Sequence, residues 1–225
     1  EGGYSKLHVL DRATLKPIDQ PTLPHGMYRT EWANEGASLA IDYLAPSTPG
    51  DIYVWVPGGA AKKVVAANLA GLNPADMIAP EPITFEARDG LTVHGLLYMP
   101  KDAVKPAVVV DVHGGPTAQA RPVWAASTQY LVGKGIAVLD INVRGSTGYG
   151  KEYARLDNKE KRLDSVRDLA DAVAWMRSDG RVDADRAAVI GGSYGGYAVN
   201  AVMGSYPDVF TAGASFVGVS DWVRA

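Results

Sequence analysis

The stretch Ala187-Ala188-Val189-Ile190-Gly191-Gly192-Ser193-Tyr194-Gly195-Gly196-Tyr197 decides the fold: an apolar run stops at a serine boxed in by glycines, and a helix-compatible segment follows. That pattern, glycine two residues to either side of a serine between a β-branched strand and a helix, is that of a nucleophile elbow. A serine at so sharp a turn takes strained backbone angles. Gly191 and Gly195 must lack side chains so that strand and helix can approach. The strain lifts the hydroxyl above the sheet edge and makes Ser193 the candidate nucleophile. The backbone N–H of Tyr194, at the helix start, then points toward an oxyanion forming on a carbonyl attacked there.

Around this stretch the second half of the chain alternates strand and helix. Ala107 to Val112 and Ile136 to Asn142 are near-continuous apolar runs of strand length, as expected for strands covered on both faces. A helix is expected from Pro122 to Val132, with proline in its first turn and Gly133 and Gly135 after it. A longer one is expected from Ser165 to about Arg177, where Val166, Leu169, Ala170, Val173 and Met176 repeat at helical spacing. Asp164 or Ser165 would cap it and Gly180 would end it. Strands are expected at Arg186 to Ile190 and Ala212 to Val217, and a hairpin joins Ile83–Ala87 to Thr92–Met99 through Asp89-Gly90. The pattern is that of a doubly wound, mostly parallel α/β sheet with ligands at the carboxyl ends of its strands, and Ser193 lies at such an end.

The first part reads differently. Short β runs at Lys6–Leu10, Tyr28–Trp32, Ser38–Tyr43, Asp51–Val56 and Lys62–Val65 are broken by turn-rich connections such as Pro46-Ser47-Thr48-Pro49-Gly50. The last four amount either to about one blade of a β-propeller, a unit stabilised by its neighbours, or to a small sandwich. A proline-bearing linker from Ala66 to Pro82 separates the two textures, which sets expected domains of 1–77 and 78–225.

Bulk properties narrow the function. The chain has 225 residues, 47% hydrophobic and 21% charged, an ordinary globular composition. A net charge of −3 gives no reason to expect nucleic acid or an anionic membrane as partner, and no apolar run is long enough to span a bilayer. Zero cysteines exclude disulfides and thiol nucleophiles. No phosphate-loop, dinucleotide or metal-ligand spacing occurs, so no cofactor is expected. The compartment stays open.

A second motif, His113-Gly114-Gly115-Pro116, directly follows the Ala107–Val112 strand. Adjacent glycines let the main chain approach a substrate carbonyl, which makes the Gly115 amide the second candidate oxyanion donor. The run from Asp111 to Pro116, the run Asn142-Val143-Arg144-Gly145-Ser146-Thr147-Gly148-Tyr149-Gly150, and Gly191 to Tyr197 together resemble the prolyl oligopeptidase family, most closely its acylaminoacyl-peptidase-like and dipeptidyl-peptidase-like branch. The resemblance implies an α/β-hydrolase domain after the end of a β-propeller. It implies a serine peptidase taking a peptide substrate, with Ser193 as nucleophile and Gly115 and Tyr194 as oxyanion donors. Arg144 and Tyr149 fall in a stretch that such enzymes use to shape the loop beside the site, and no chemistry is assigned to them.

The chain departs from that pattern in one respect. A serine nucleophile needs a base, and the fold orders its triad as serine, acid, histidine. After Ser193 come Asp208 and Asp221 and no histidine; His8, His25, His94 and His113 all precede it. His113 is read as a brace for its loop. The expectation is therefore a fragment without the triad acid and base, its sheet incomplete at the C-terminal end, and inactive alone. Its protein partners would be the remainder of the same protein or a homo-oligomer. The competing readings are an ester hydrolase of the same fold and a non-catalytic truncated hydrolase serving as an interaction protein.

Overall fold

The computed structural model describes residues 3–221. The chain forms two compact units, one taking the residues up to Ala79 together with Arg121–Gln129, the other taking Pro80–Ala120 and the chain from Tyr130 on.

The first unit holds a four-stranded antiparallel sheet in sequence order: β1 Met27–Ala33, β2 Ser38–Ala45, β3 Thr48–Trp55 and β4 Lys62–Val65. Its small core is Val9, Leu39, Ile41 and Trp55. The Trp55 indole is fully buried and donates to the Gly59 carbonyl at 2.9 Å. Asp51 ties the last strand down, accepting from Lys63 Nζ at 2.5 Å and from the Ala67 amide at 2.9 Å. Two expectations need correction. Lys6–Leu10 is not a strand: Leu10 makes one isolated bridge to Pro17, and the segment is held by burying Val9. Thr48-Pro49-Gly50 is not a turn but the start of β3. Ala45 pairs with Thr48, and the ladder shifts register opposite the proline, which has no N–H to contribute.

The second unit is a six-stranded sheet in the order β10-β9-β7-β8-β6-β5. Its strands are β5 Glu81–Glu86, β6 Thr92–Tyr98, β7 Ala107–Val112, β8 Ala137–Asn142, β9 Asp183–Gly192 and β10 Ala212–Phe216. The four from β10 to β8 are parallel, and β6 and β5 run antiparallel at one side. This is the doubly wound arrangement of an α/β-hydrolase, preceded by an all-β segment.

Two helices pack on the sheet, α2 Arg162–Asp179 and α3 Tyr194–Ser205; a shorter helix, α1, spans Ala126–Gly133. Val108, Val110 and Val112 of β7 alternate onto the face that packs with Leu169, Val173 and Met176 of α2 and Val199 and Val202 of α3. Gly180 closes α2 in the left-handed conformation (φ 78°), its amide donating to the Met176 carbonyl. The expected N-cap is displaced. The helix begins at Arg162, and Ser165 lies one turn inside it, its hydroxyl turned to the Arg162 carbonyl at 2.7 Å. Likewise α1 starts four residues after Pro122, which is no part of it.

Candidate active site

Ser193 sits between the last residue of β9 and the first of α3 with φ 56° and ψ −118°. A non-glycine residue there carries roughly 1–3 kcal/mol of strain, held in place by its surroundings. Its amide donates to the Phe216 carbonyl of β10 and its carbonyl accepts from the Tyr197 amide, both at 3.0 Å. The side chain is exposed. The flanking glycines are needed for the reason the spacing suggests. A methyl group on Gly191 would lie 2.6 Å from the Gly195 backbone, and one on Gly195 would lie 1.9 Å from the Val112 carbonyl oxygen.

The loop after β7 lies against the serine. A methyl group on Gly114 would be 3.4 Å from Ser193 Cβ and 4.0 Å from its Oγ. Gly115 follows with φ 124°, where a side chain would run into the Thr117 amide at 2.7 Å. Tyr194 occupies the first turn of α3, whose amides have no partner within the helix. The structure thus brings Gly114, and next to it Gly115, to the residue pair Ser193–Tyr194.

His113 has both ring nitrogens engaged away from Ser193: Nδ1 is 2.7 Å from the Gly114 carbonyl and Nε2 is 2.9 Å from Ser146 Oγ. A carbonyl only accepts, so Nδ1 carries the proton. Burial lowers the pKa of the ring, and Ser146, whose hydroxyl donates to the Val143 carbonyl at 2.6 Å, lies against Nε2. The Gly114 carbonyl and the Gly115 N–H belong to one planar trans peptide and point in opposite directions. Holding the carbonyl therefore aims the amide.

More of the loop is tied to the segment after β8. The Asn142 side chain accepts from the Ala120 amide at 2.7 Å, donates to the Ala120 carbonyl at 3.2 Å and donates to Tyr149 Oη at 2.9 Å. The Thr147 amide donates to the Ala118 carbonyl at 2.8 Å. Arg144 has a structural task. Its guanidinium forks onto the fully buried Asp168 at 2.7–3.0 Å and reaches Asp89 at 2.7 and 3.1 Å, which lowers the Asp89 carboxyl to about 2. Tyr149 stacks on His94 with centroids 4.0 Å apart. Beneath both loops, Asp111 of β7 and Asp140 of β8 are register partners. Burial, with Asp111 alongside, pushes the Asp140 carboxyl up to about 8, and its Oδ1 has no partner among the described residues.

Sequence reasoning did not find Asn142, Ser146 or Asp168 as supports of the site. The quoted Asn142–Gly150 run contained two of them; Asp168 gives no local signal, being one of several acids on an amphipathic helix. Of the remaining candidates, Asp208 lies exposed in the turn between α3 and β10, and His8 and His25 belong to the first unit. Among the described residues, no histidine ring bonds the Ser193 hydroxyl, and no group of three histidine, aspartate or glutamate side chains could hold a metal ion.

The model of the prolyl oligopeptidase family of peptidases matches residues 123–225. Dipeptidyl aminopeptidase BIII of Pseudoxanthomonas mexicana is 37% identical over 160 residues, 67% of this chain and 23% of the relative. Acylamino-acid-releasing enzyme of Sus scrofa is 28% identical over 94% of this chain and 27% of its own length. A crystal structure of puromycin hydrolase superposes with a TM-score of 0.84 at 28% identity, covering 99% of this chain and 34% of that one. The chain thus spans about a quarter to a third of the length of these relatives. With a strained serine closing β9, a glycine loop closing β7 and a family match over residues 123–225, the chain belongs to the prolyl oligopeptidase family.

Proposed function

We propose that Ser193 is the nucleophile of a serine peptidase acting on short peptides. The observation that carries this reading is the left-handed φ of Ser193 at the β9–α3 turn, with the Gly114 backbone against its Cβ. The hydroxyl oxygen attacks the scissile carbonyl while a general base takes its proton. The tetrahedral oxyanion is bonded by the amides of Tyr194 and Gly115, and the amine leaves on regaining a proton. Water then hydrolyses the acyl-enzyme by the same steps in reverse order. On this reading the chain carries the nucleophile and both amides, and among the described residues no histidine bonds Ser193. The 225-residue chain by itself is therefore expected to hydrolyse little or nothing.

The test is labelling with a fluorophosphonate. The full natural protein should be labelled at Ser193 and lose labelling in Ser193→Ala, while the 225-residue chain should label slowly. Rapid labelling of the isolated chain would mean that it holds its own base. Absence of labelling in the full protein would favour a non-catalytic interaction protein. Comparing a peptide with its ester analogue on the full protein separates the peptidase from the esterase reading.

A further inference from the structure

An oxyanion can bond two amides only if they keep a fixed separation, because misplacement by about 1 Å can cost on the order of a hundredfold in rate. The amides of Tyr194 and Gly115 come from distant parts of the chain. Their supports converge on one side chain.

The Tyr194 ring is 2% exposed, and its hydroxyl lies 2.6 Å from Ser165 Oγ on α2. The single proton of Ser165 goes to the Arg162 carbonyl, so Tyr194 is the donor in that pair. The phenol's one proton goes to Ser165, so its 3.4 Å approach to Asp157 Oδ2 is a packing contact. The Arg162 guanidinium lies 5.1 Å from the ring centroid and bonds the same Asp157 oxygen at 2.5 Å. A residue in the first turn of α3 is thereby fixed through its side chain.

The other side of the fully buried Asp157 packs on Gly145. That glycine has φ 99°, and a methyl group on it would meet the Asp157 carboxyl carbon at 2.3 Å. The next residue is Ser146, whose hydroxyl reaches His113, and His113 holds the Gly114 carbonyl and so aims the Gly115 amide. One buried carboxyl therefore contacts the supports of both donors, and Asp157 Oδ1, buried without a hydrogen-bond partner among the described residues, faces this same packed space.

We propose that Asp157 is a positioning residue that sets the separation of the two amide donors, holding Tyr194 by packing on its phenol and by fixing Arg162 over its ring, and the Gly114–Gly115 peptide through Gly145, Ser146 and His113. This rests on the reading of Ser193 as nucleophile. Asp157 touches no substrate. Its effect falls on the transition state, in which the oxyanion exists, and spares the ground-state complex.

The experiment uses the full natural protein with Asp157→Asn and Tyr194→Phe, both of which keep the side-chain volume. With a peptidyl p-nitroanilide, kcat should fall by about ten- to a hundredfold while KM stays within about twofold. The affinity of a peptidyl boronate, which forms a tetrahedral adduct, should fall by the same factor as kcat. If Asp157→Asn does not fold, Tyr194→Phe carries the test with the same expected split. Folded variants that melt earlier yet keep wild-type kcat and boronate affinity would overturn the proposal, as would a change confined to KM. Ser193→Ala separates the two readings. Residual hydrolysis in that variant overturns the nucleophile assignment, whereas its loss beside fully active Asp157→Asn and Tyr194→Phe overturns the positioning role alone.

Discussion

The elbow at Gly191–Gly195 and the loop at His113–Ala120 form the two sides of the site, and they are shaped by opposite means. The elbow is shaped by exclusion: no atom can be added to Gly191 or Gly195 without meeting backbone, so the turn has one available path. The loop is shaped by attachment, through His113 to Ser146, Ala118 to Thr147 and Ala120 to Asn142. A feature made by exclusion is written where it occurs. A feature made by attachment is written 22 to 33 residues away, in the partner that holds it.

That contrast sets the sizes of the expected effects. The largest is at the elbow. Gly195→Ala places a methyl group 1.9 Å from the Val112 carbonyl, against backbone that cannot yield. It should destabilise the second unit by about 3 kcal/mol or more, read as a lowered urea midpoint, and should abolish Ser193 labelling. Wild-type stability in this variant would show that the elbow is not sterically determined.

Removing an attachment should be milder. Asn142→Ala leaves both polar groups of Ala120 without their partner and should cost about 2 kcal/mol. Because the loop carries Gly115, the proposed oxyanion donor, its kcat should fall more than its KM rises. An effect on stability with none on kcat would mean that the far end of the loop is held independently of its glycines.

The smallest effect is a matter of pH. Asp111 and Asp140 lie side by side beneath the attached loop, and burial raises the folded pKa of Asp140 to about 8. A carboxyl raised on folding favours the folded state while protonated, and that contribution is lost as pH climbs from the unfolded value, near 4, through 8. Between pH 5 and pH 6, the wild-type protein should lose on the order of 1 kcal/mol relative to Asp140→Asn. Parallel stability curves for the two proteins would show that Asp140 is ionised in the fold.

The same contrast explains what could be read from the sequence. The parallel sheet, the elbow and the glycine loop were legible because each leaves a local trace: apolar runs of strand length at Ala107–Val112 and Ala137–Asn142, and glycines where backbone meets backbone. Misreadings came where a side chain had a distant use. Ser165 looked like a helix cap because serine ordinarily is one, whereas its hydroxyl serves Arg162 and Tyr194. Pro49 looked like a loop residue, yet a register shift in the ladder admits it to β3. Asp157 and Asp168 gave no sign at all, since a buried acid and a solvated one look alike until the fold brings Arg162 or Arg144 to it.

The central claim is that Ser193 presents its oxygen to two amides held by different means. The most direct measurement is a structure of the full natural protein phosphonylated at this site. The account predicts an adduct on Ser193 with its phosphoryl oxygen about 2.7–3.1 Å from both the Tyr194 and the Gly115 amide nitrogens. An adduct on another residue, or a phosphoryl oxygen turned to solvent away from either amide, would contradict it.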